Sequence, residues 1–268
     1  MLAYLSALPS FPLPSDLTIR STWPAIELNT RRVAVQFALL TVSAALVPKR
    51  AGAFENRLPP DELELKYKSP RTPGPKPTDL GPRKGYALKP CIDGKPHCFS
   101  TSPEEFEDND LFNTDSGQAA EWLVTPFTYT KSLADAFEDL KGAIAIYPPG
   151  QRGIDGGGFK LITETATTNG AYLYVQFESL RKGYVDDMEF ALSNGILNIR
   201  TSSRLGYLDL GVNAKRFNWF AQRLGQLNGW KTTPILSQAH EEYFALNRVS
   251  NKDMLIEAQG AVPNMEQK

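Results

Sequence analysis

The chain reads as an α+β protein: an antiparallel sheet of about four strands with helices packed on one face, preceded by a proline-rich extended arm. Three observations predict it. Asn169-Gly170 and Asn194-Gly195 each stand between runs of alternating or clustered apolar residues, and Asn-Gly is the strongest short hairpin signal because both positions tolerate positive φ. Downstream, Phe217, Phe220, Leu224 and Leu227 recur at three- and four-residue spacing, which makes one apolar helical stripe. Upstream, residues 54–90 hold eight prolines, and proline disrupts helix interiors and central strands alike.

Residues 1–53 read as targeting sequence rather than fold. Ser6, Ser10, Ser15 and Ser21, with only Asp16 and Glu27 as acids in the first thirty residues, fit a plastid transit peptide. Arg31-Arg32, fifteen largely apolar residues (33–47), Lys49-Arg50 and Ala51-Gly52-Ala53 then follow in the order of a twin-arginine signal with an Ala-x-Ala cleavage site. The basic pair before the cleavage site resembles the residues that steer a signal toward twin-arginine transport. The expected address is the chloroplast thylakoid lumen. A membrane anchor is the other reading, but fifteen helical residues rise only about 22 Å against a hydrocarbon core of about 30 Å. A bacterial periplasmic signal would not carry thirty residues ahead of Arg31. Cleavage after Ala53 removes five of 29 Lys and Arg and two of 30 Asp and Glu, leaving 215 residues with a formal charge of −4. With 41% apolar residues, that chain can bury one sizeable core. Its charge gives no case for nucleic acid.

Residues 54–87 form the proline-rich arm, in which Pro-x-Pro favours extended polyproline II. It is either a disordered spacer or a docking arm laid along a larger complex. Cys91 and Cys98 are the only two cysteines; an even count in an oxidising compartment reads as a disulfide closing a short loop. Zinc would need more ligands than His97 and the distant His240 supply, and a regulatory dithiol is the remaining alternative. Residues 103–112 and 131–144 look helical, the second with a stripe of Leu133, Phe137 and Leu140. The glycine-rich stretch 150–159 lacks the Lys-Ser/Thr of a phosphate loop.

Four strands follow, at 160–168, 171–179, 184–193 and 196–203. A two-residue turn at Asn194-Gly195 puts Ser193 opposite Ile196, Leu192 opposite Leu197, Phe190 opposite Ile199 and Met188 opposite Thr201. That face is apolar. The other carries Asp187, Glu189, Arg200, Ser202 and Arg204, with Glu189 across from Arg200. The first hairpin, closed the same way, sets Leu173, Val175 and Phe177 opposite Ala166, Glu164 and Ile162. Gly206 and Gly211 bracket a tight loop, Asn213 reads as the N-cap of a helix that ends near Asn228-Gly229, and residues 235–259 carry a charged helical pattern before a polar tail.

The pattern Tyr184-Val-Asp186-Asp187-Met-Glu189-Phe190, then Arg200-x-x-Ser203-Arg204-x-Gly206-x-x-Asp209-x-Gly211-x-Asn213-x-x-Arg216, resembles the domain of unknown function 1499 family. Cys91 and Cys98 followed by Phe99-Ser100-Thr101-Ser102 resemble that family's N-terminal Cys motif. The resemblance covers roughly residues 88–230, which leaves 231–268 as a C-terminal helical extension and tail. It implies a family and not a reaction.

Catalytic raw material is thin. Two histidines, no Gly-x-Ser-x-Gly and no His-Glu-x-x-His leave acid and base chemistry to Asp186, Asp187, Glu189 and Asp209, with an anion site from Arg200, Arg204 and Arg216. Carboxylates beside arginines are ordinarily depressed in pKa, which spoils a general base. The same residues, with Ser203 and Asn213, equally make an ion-pair and hydrogen-bond network that holds the glycine loop against the sheet. The sequence therefore predicts a non-enzymatic lumenal accessory protein, without cofactor or metal, peripheral to the membrane and associated with a photosynthetic complex such as a photosystem. The alternative is a lumenal small-ligand-binding protein or enzyme using Asp187, Glu189, Arg200, Arg204 and Asp209.

Overall fold

The computed structural model describes residues 54–66, 70–91, 95–103 and 121–254. The expected targeting segment, the helix expected at 103–112 beyond its first residue, and the polar tail lie outside them. The described residues belong to one compact unit.

Its centre is an antiparallel meander. Strands β3 (Gly158–Ala166), β4 (Ala171–Glu178), β5 (Val185–Ser193) and β6 (Ile196–Ser203) lie side by side in chain order. The far edge of β6 is shared by two short strands: β1 (Cys98–Ser100) pairs with Arg200–Ser202, and β2 (Phe127–Tyr129) pairs with Ile196 and Leu197. β7 (Trp230–Lys231) closes the order by pairing with β2. Among the described residues the sheet thus has seven strands rather than about four. The three extra strands are two or three residues long, too short to leave a periodic signal.

The β5–β6 hairpin has the register that Asn194-Gly195 predicts: Ser193 opposite Ile196, Leu192 opposite Leu197, Glu189 opposite Arg200, with both turn residues at positive φ, 52° and 77°. The β3–β4 hairpin does not. Ala166 pairs with Ala171 and Glu164 with Leu173, and a bulge between Leu161 and Thr163 shifts the rest. Asn169-Gly170 is not a two-residue turn because the Thr167 hydroxyl accepts the amides of Asn169 and Gly170, each at 3.2 Å, and widens the loop to four residues. Gly170 is required for a different reason: a Cβ there would run into the Tyr86 ring.

Helices α2 (Leu133–Ala145) and α3 (Val212–Gly225) pack on one face of the sheet. Their stripes, Phe137 and Leu140 from α2 and Phe217, Phe220 and Leu224 from α3, meet Leu173, Val175, Phe177, Met188, Phe190 and Ile199 in the main core. Phe220 sits edge-on to Phe190 at 5.1 Å and Phe217 to Phe127 at 5.1 Å. Asn213 is not the N-cap; that position is Gly211, in the left-handed region at φ 80°, where a side chain would meet Val249 and Met254.

All nine residues of β5 are buried, so both faces of the sheet are covered. The second cover is the segment expected as a free arm. After α1 (Glu62–Lys66), it runs along the sheet: Thr72 N–H donates to Lys182 O at 3.0 Å, Val185 N–H to Pro73 O at 3.3 Å, and Gly81 N–H to Glu189 Oε1 at 2.8 Å. Leu80, Tyr86 and Leu88 pack on Tyr172, Tyr174 and Ala191 as a second apolar cluster. Proline favours an extended backbone, and the face that carries Tyr172, Tyr174, Ala191 and Glu189 captures it through apolar contacts and a hydrogen bond. The described residues 54–66 and 70–91 form a strap packed against the sheet.

The C-terminal extension is also part of the fold. Ile235, Tyr243, Phe244 and Met254 are core residues, and Asn218 clamps the backbone of Ile235 through its side-chain amide, giving 2.8 Å and 2.7 Å bonds. Within the described part of the helix expected over 235–259 there are two short helices, α4 (Glu241–Asn247) and α5 (Asn251–Met254), because Arg248 turns into the left-handed region at φ 55°; residues 255–259 lie outside the described residues.

Candidate functional site

Alternation along β5 and β6 sends neighbouring motif residues to opposite faces. Asp186, Thr201 and Ser203 point toward the helices, whereas Asp187, Glu189, Arg200 and Arg204 point under the strap. What reads in sequence as one acidic and basic cluster is two networks back to back, separated by the sheet.

The helix-side network is centred on Arg216, which is fully buried. Its guanidinium donates to Asp155 at 2.9 Å and 2.5 Å, to Asp186 Oδ2 at 2.8 Å and to Asn213 Oδ1 at 2.8 Å, and lies 4.5 Å over the Phe177 ring. Asp155 also accepts from Tyr147 Oη at 2.5 Å. Asn213, one turn before Arg216, donates from Nδ2 to His97 O at 2.9 Å and Ser203 Oγ at 3.0 Å and accepts from Thr201 Oγ1 at 2.5 Å. Asp209 does the capping: its carboxylate accepts the amides of Gly211 at 3.0 Å and Asn213 at 2.8 Å, and the Tyr243 hydroxyl at 2.9 Å. Asn247 in turn accepts the amides of Asp209 and Leu210. These bonds pin β1, β6, the glycine loop, α3 and α4 to one another.

Under the strap, Arg204 grips Asp187 with two bonds at 2.8 Å and 2.7 Å. Tyr174 donates to Asp187 Oδ1 at 2.5 Å and itself accepts from Gln176 at 2.6 Å. Glu189 Oε1 accepts from Tyr172 Oη and the Gly81 amide, both at 2.8 Å, while Arg200 lies 3.7 Å from Oε2. Glu189 Oε2 and Arg200 Nε are buried without a hydrogen bond.

The electrostatics depart from the expected depression. Burial raises the Asp186 carboxyl to about 6, outweighing the pull of Arg216. Burial also raises Glu189 and Asp209, and desolvation with the Asp187 bond raises Tyr174 to about 12. His240, buried against Glu121 O at 2.8 Å, is pushed below the usual histidine range. Among the described residues no three His, Cys, Asp or Glu side chains come together as metal ligands. Cys91 and Cys98 are joined, with Cα atoms 5.8 Å apart, and fasten the strap's end to β1.

Sequence reasoning missed the tyrosines and Asp155. Tyr172 and Tyr174 were legible in principle, since β4 faces β5 and their diagonal neighbours are Glu189 and Asp187. Asp155 sits in the glycine-rich stretch at φ 56°, where no periodicity signals a role.

The family model described as "Protein of unknown function (DUF1499)" matches residues 87–224. The chain belongs to that family. The DUF1499 match takes in β1 to α3, hence Asp186, Asp187, Glu189, Arg200, Ser203, Arg204, Asp209, Asn213 and Arg216. Gly81 of the strap and Tyr243 and Asn247 of α4, which complete the two networks, lie outside it. No curated protein and no solved structure matches the chain.

Proposed function

We propose that this DUF1499 protein is a non-enzymatic accessory protein of the chloroplast thylakoid lumen, associated from the lumenal side with a photosynthetic membrane complex, a photosystem, and peripheral to the membrane. The address is supported by the order of elements in residues 1–53. The non-catalytic role is supported by one observation above all: Arg216, Asn213 and Asp209 direct their polar atoms at the fold's own backbone and side chains. Because the strap is bound to the sheet, association falls to the surface of the folded unit rather than to a free arm. The test is import into isolated chloroplasts followed by N-terminal sequencing. The mature chain begins at Phe54 or within a residue or two of it, and import to the lumen fails for Arg31→Lys with Arg32→Lys; an intact Arg31 in the mature protein contradicts the reading.

A second reading, a lumenal ligand-binding protein or enzyme, draws on the hydrogen-bonding capacity left at Glu189 Oε2 and Arg200 Nε. Its residues are Asp187, Glu189, Arg200 and Arg204, because Asp209 stands on the other side of the sheet. Uptake of a small polar ligand that disappears in Arg200→Gln, with folding retained, would favour it.

A further inference from the structure

The loop between β6 and α3 presents apolar side chains outward from a rigid base. Tyr207 is 59% exposed, Leu208 38% and Leu210 64%. Between them Asp209 is buried and bonded to Gly211, Asn213 and Tyr243, so the loop is anchored at its centre. Leu210 is doubly unfavourable where it stands. Its φ is 55°, a region that glycine adopts freely and leucine at a cost, and its side chain is exposed. The amide of Leu210 is held there by Asn247 Oδ1 at 2.8 Å. Glycine would relieve both costs and keep the amide that Asn247 holds, and Asp209 supplies the side chain that the buried network takes from this stretch.

The rim of this projection is basic. Arg248 follows Asn247 and is exposed; Lys252, in α5, is exposed; Lys215 lies one turn into α3, its amide bonded to Gly211 O; and Arg152 reaches the carbonyls of Lys252 and Asp253 at 3.1 Å and 3.2 Å. Asp253, bonded to Ser250, is the acid within this group. The acidic end of α4, Glu241 and Glu242, is the end away from Arg248. Two leucines and a tyrosine on a fixed loop, ringed by Lys and Arg, match the chemistry of a bilayer interface, where apolar tips enter the acyl boundary, tyrosine lies at the headgroups and basic side chains meet anionic lipid.

We infer that Tyr207, Leu208 and Leu210 form a membrane-contacting tip, and that its partner is an anionic lipid surface. The inference stands on the surface of the folded unit and does not depend on the lumenal address. The chain from Phe54 onward, which carries every described element, is mixed with vesicles of phosphatidylcholine alone or with phosphatidylglycerol, and co-sedimentation is measured at low and high salt. Binding to the anionic vesicles that weakens with salt is expected. Leu208→Asp with Leu210→Asp lowers it by at least about tenfold; Arg248→Glu with Lys252→Glu weakens it and flattens its salt dependence. Leu210→Gly also weakens it while leaving the unfolding midpoint unchanged or higher, so loss of fold cannot account for the result. Wild-type protein that ignores both vesicle types, or loop variants that bind as wild type does, overturns the inference. So does a loop that matters only for co-migration with a protein complex.

Discussion

Arg216 is fully buried and answers two carboxylates, Asp155 and Asp186. Removing one partner of such a cluster leaves the others charged and uncompensated, at a cost of about 3–5 kcal/mol. Arg216→Ala is therefore expected to lower stability by that amount in denaturant unfolding, more than Asp187→Asn, whose partner Arg204 is less deeply buried. The acids give a pH signature. The Asp186 carboxyl lies at about 6 in the fold against an ordinary 3.8, so folding favours its protonated form. Its contribution is complete below about pH 4 and is lost as pH rises through about 6. Glu189 and Asp209 are shifted the same way. Asp79 and Asp253, lowered by hydrogen bonds from Lys89 and Ser250, act in the opposite sense at more acid pH. Stability measured in urea should thus fall between pH 4 and pH 6, and Asp186→Asn should flatten that slope; an unchanged slope would assign it to other groups.

At the scale of elements, the strap is what turns a one-sided sheet into a two-sided one. Deleting residues 70–86 removes Leu80, Tyr86 and the Gly81 amide from Tyr172, Tyr174 and Glu189. The shortened chain should lose cooperative unfolding or expose apolar surface to a hydrophobic dye; a compact domain of unchanged midpoint would mean the strap is dispensable. The disulfide holds the strap's end to β1 across a seven-residue separation, and loop entropy puts its contribution at about 2.5 kcal/mol. Cys91→Ser with Cys98→Ser should shift the unfolding midpoint accordingly. Glu189 and Arg200, paired across β5 and β6, should show coupling of about 1 kcal/mol in a double-mutant cycle. The strands of the meander were legible because β-strand alternation is local, and Asn194-Gly195 fixes the register of the β5–β6 hairpin. Asn169-Gly170 misled because a neighbouring threonine hydroxyl and the Tyr86 ring, 81 residues from Thr167, decide that turn. The strap was illegible for the same kind of reason: proline content declares an extended backbone but not the surface it lies on. The site residues were named from sequence, yet their division into two networks follows only from the pleat.

For the whole molecule, the DUF1499 segment is completed by flanks that its family match does not include, the strap before it and α4 after it. Both networks are saturated by those flanks, apart from the Glu189 and Arg200 atoms under the strap. This favours a protein whose motif maintains a shape and whose exposed surface does the work of association. The most direct measurement is native electrophoresis of gently solubilised thylakoids probed for the mature chain. The account predicts that the protein migrates with a photosystem-sized complex. Migration as a free monomer, with a turnover or ligand uptake that Arg200→Gln abolishes in a folded protein, would contradict it.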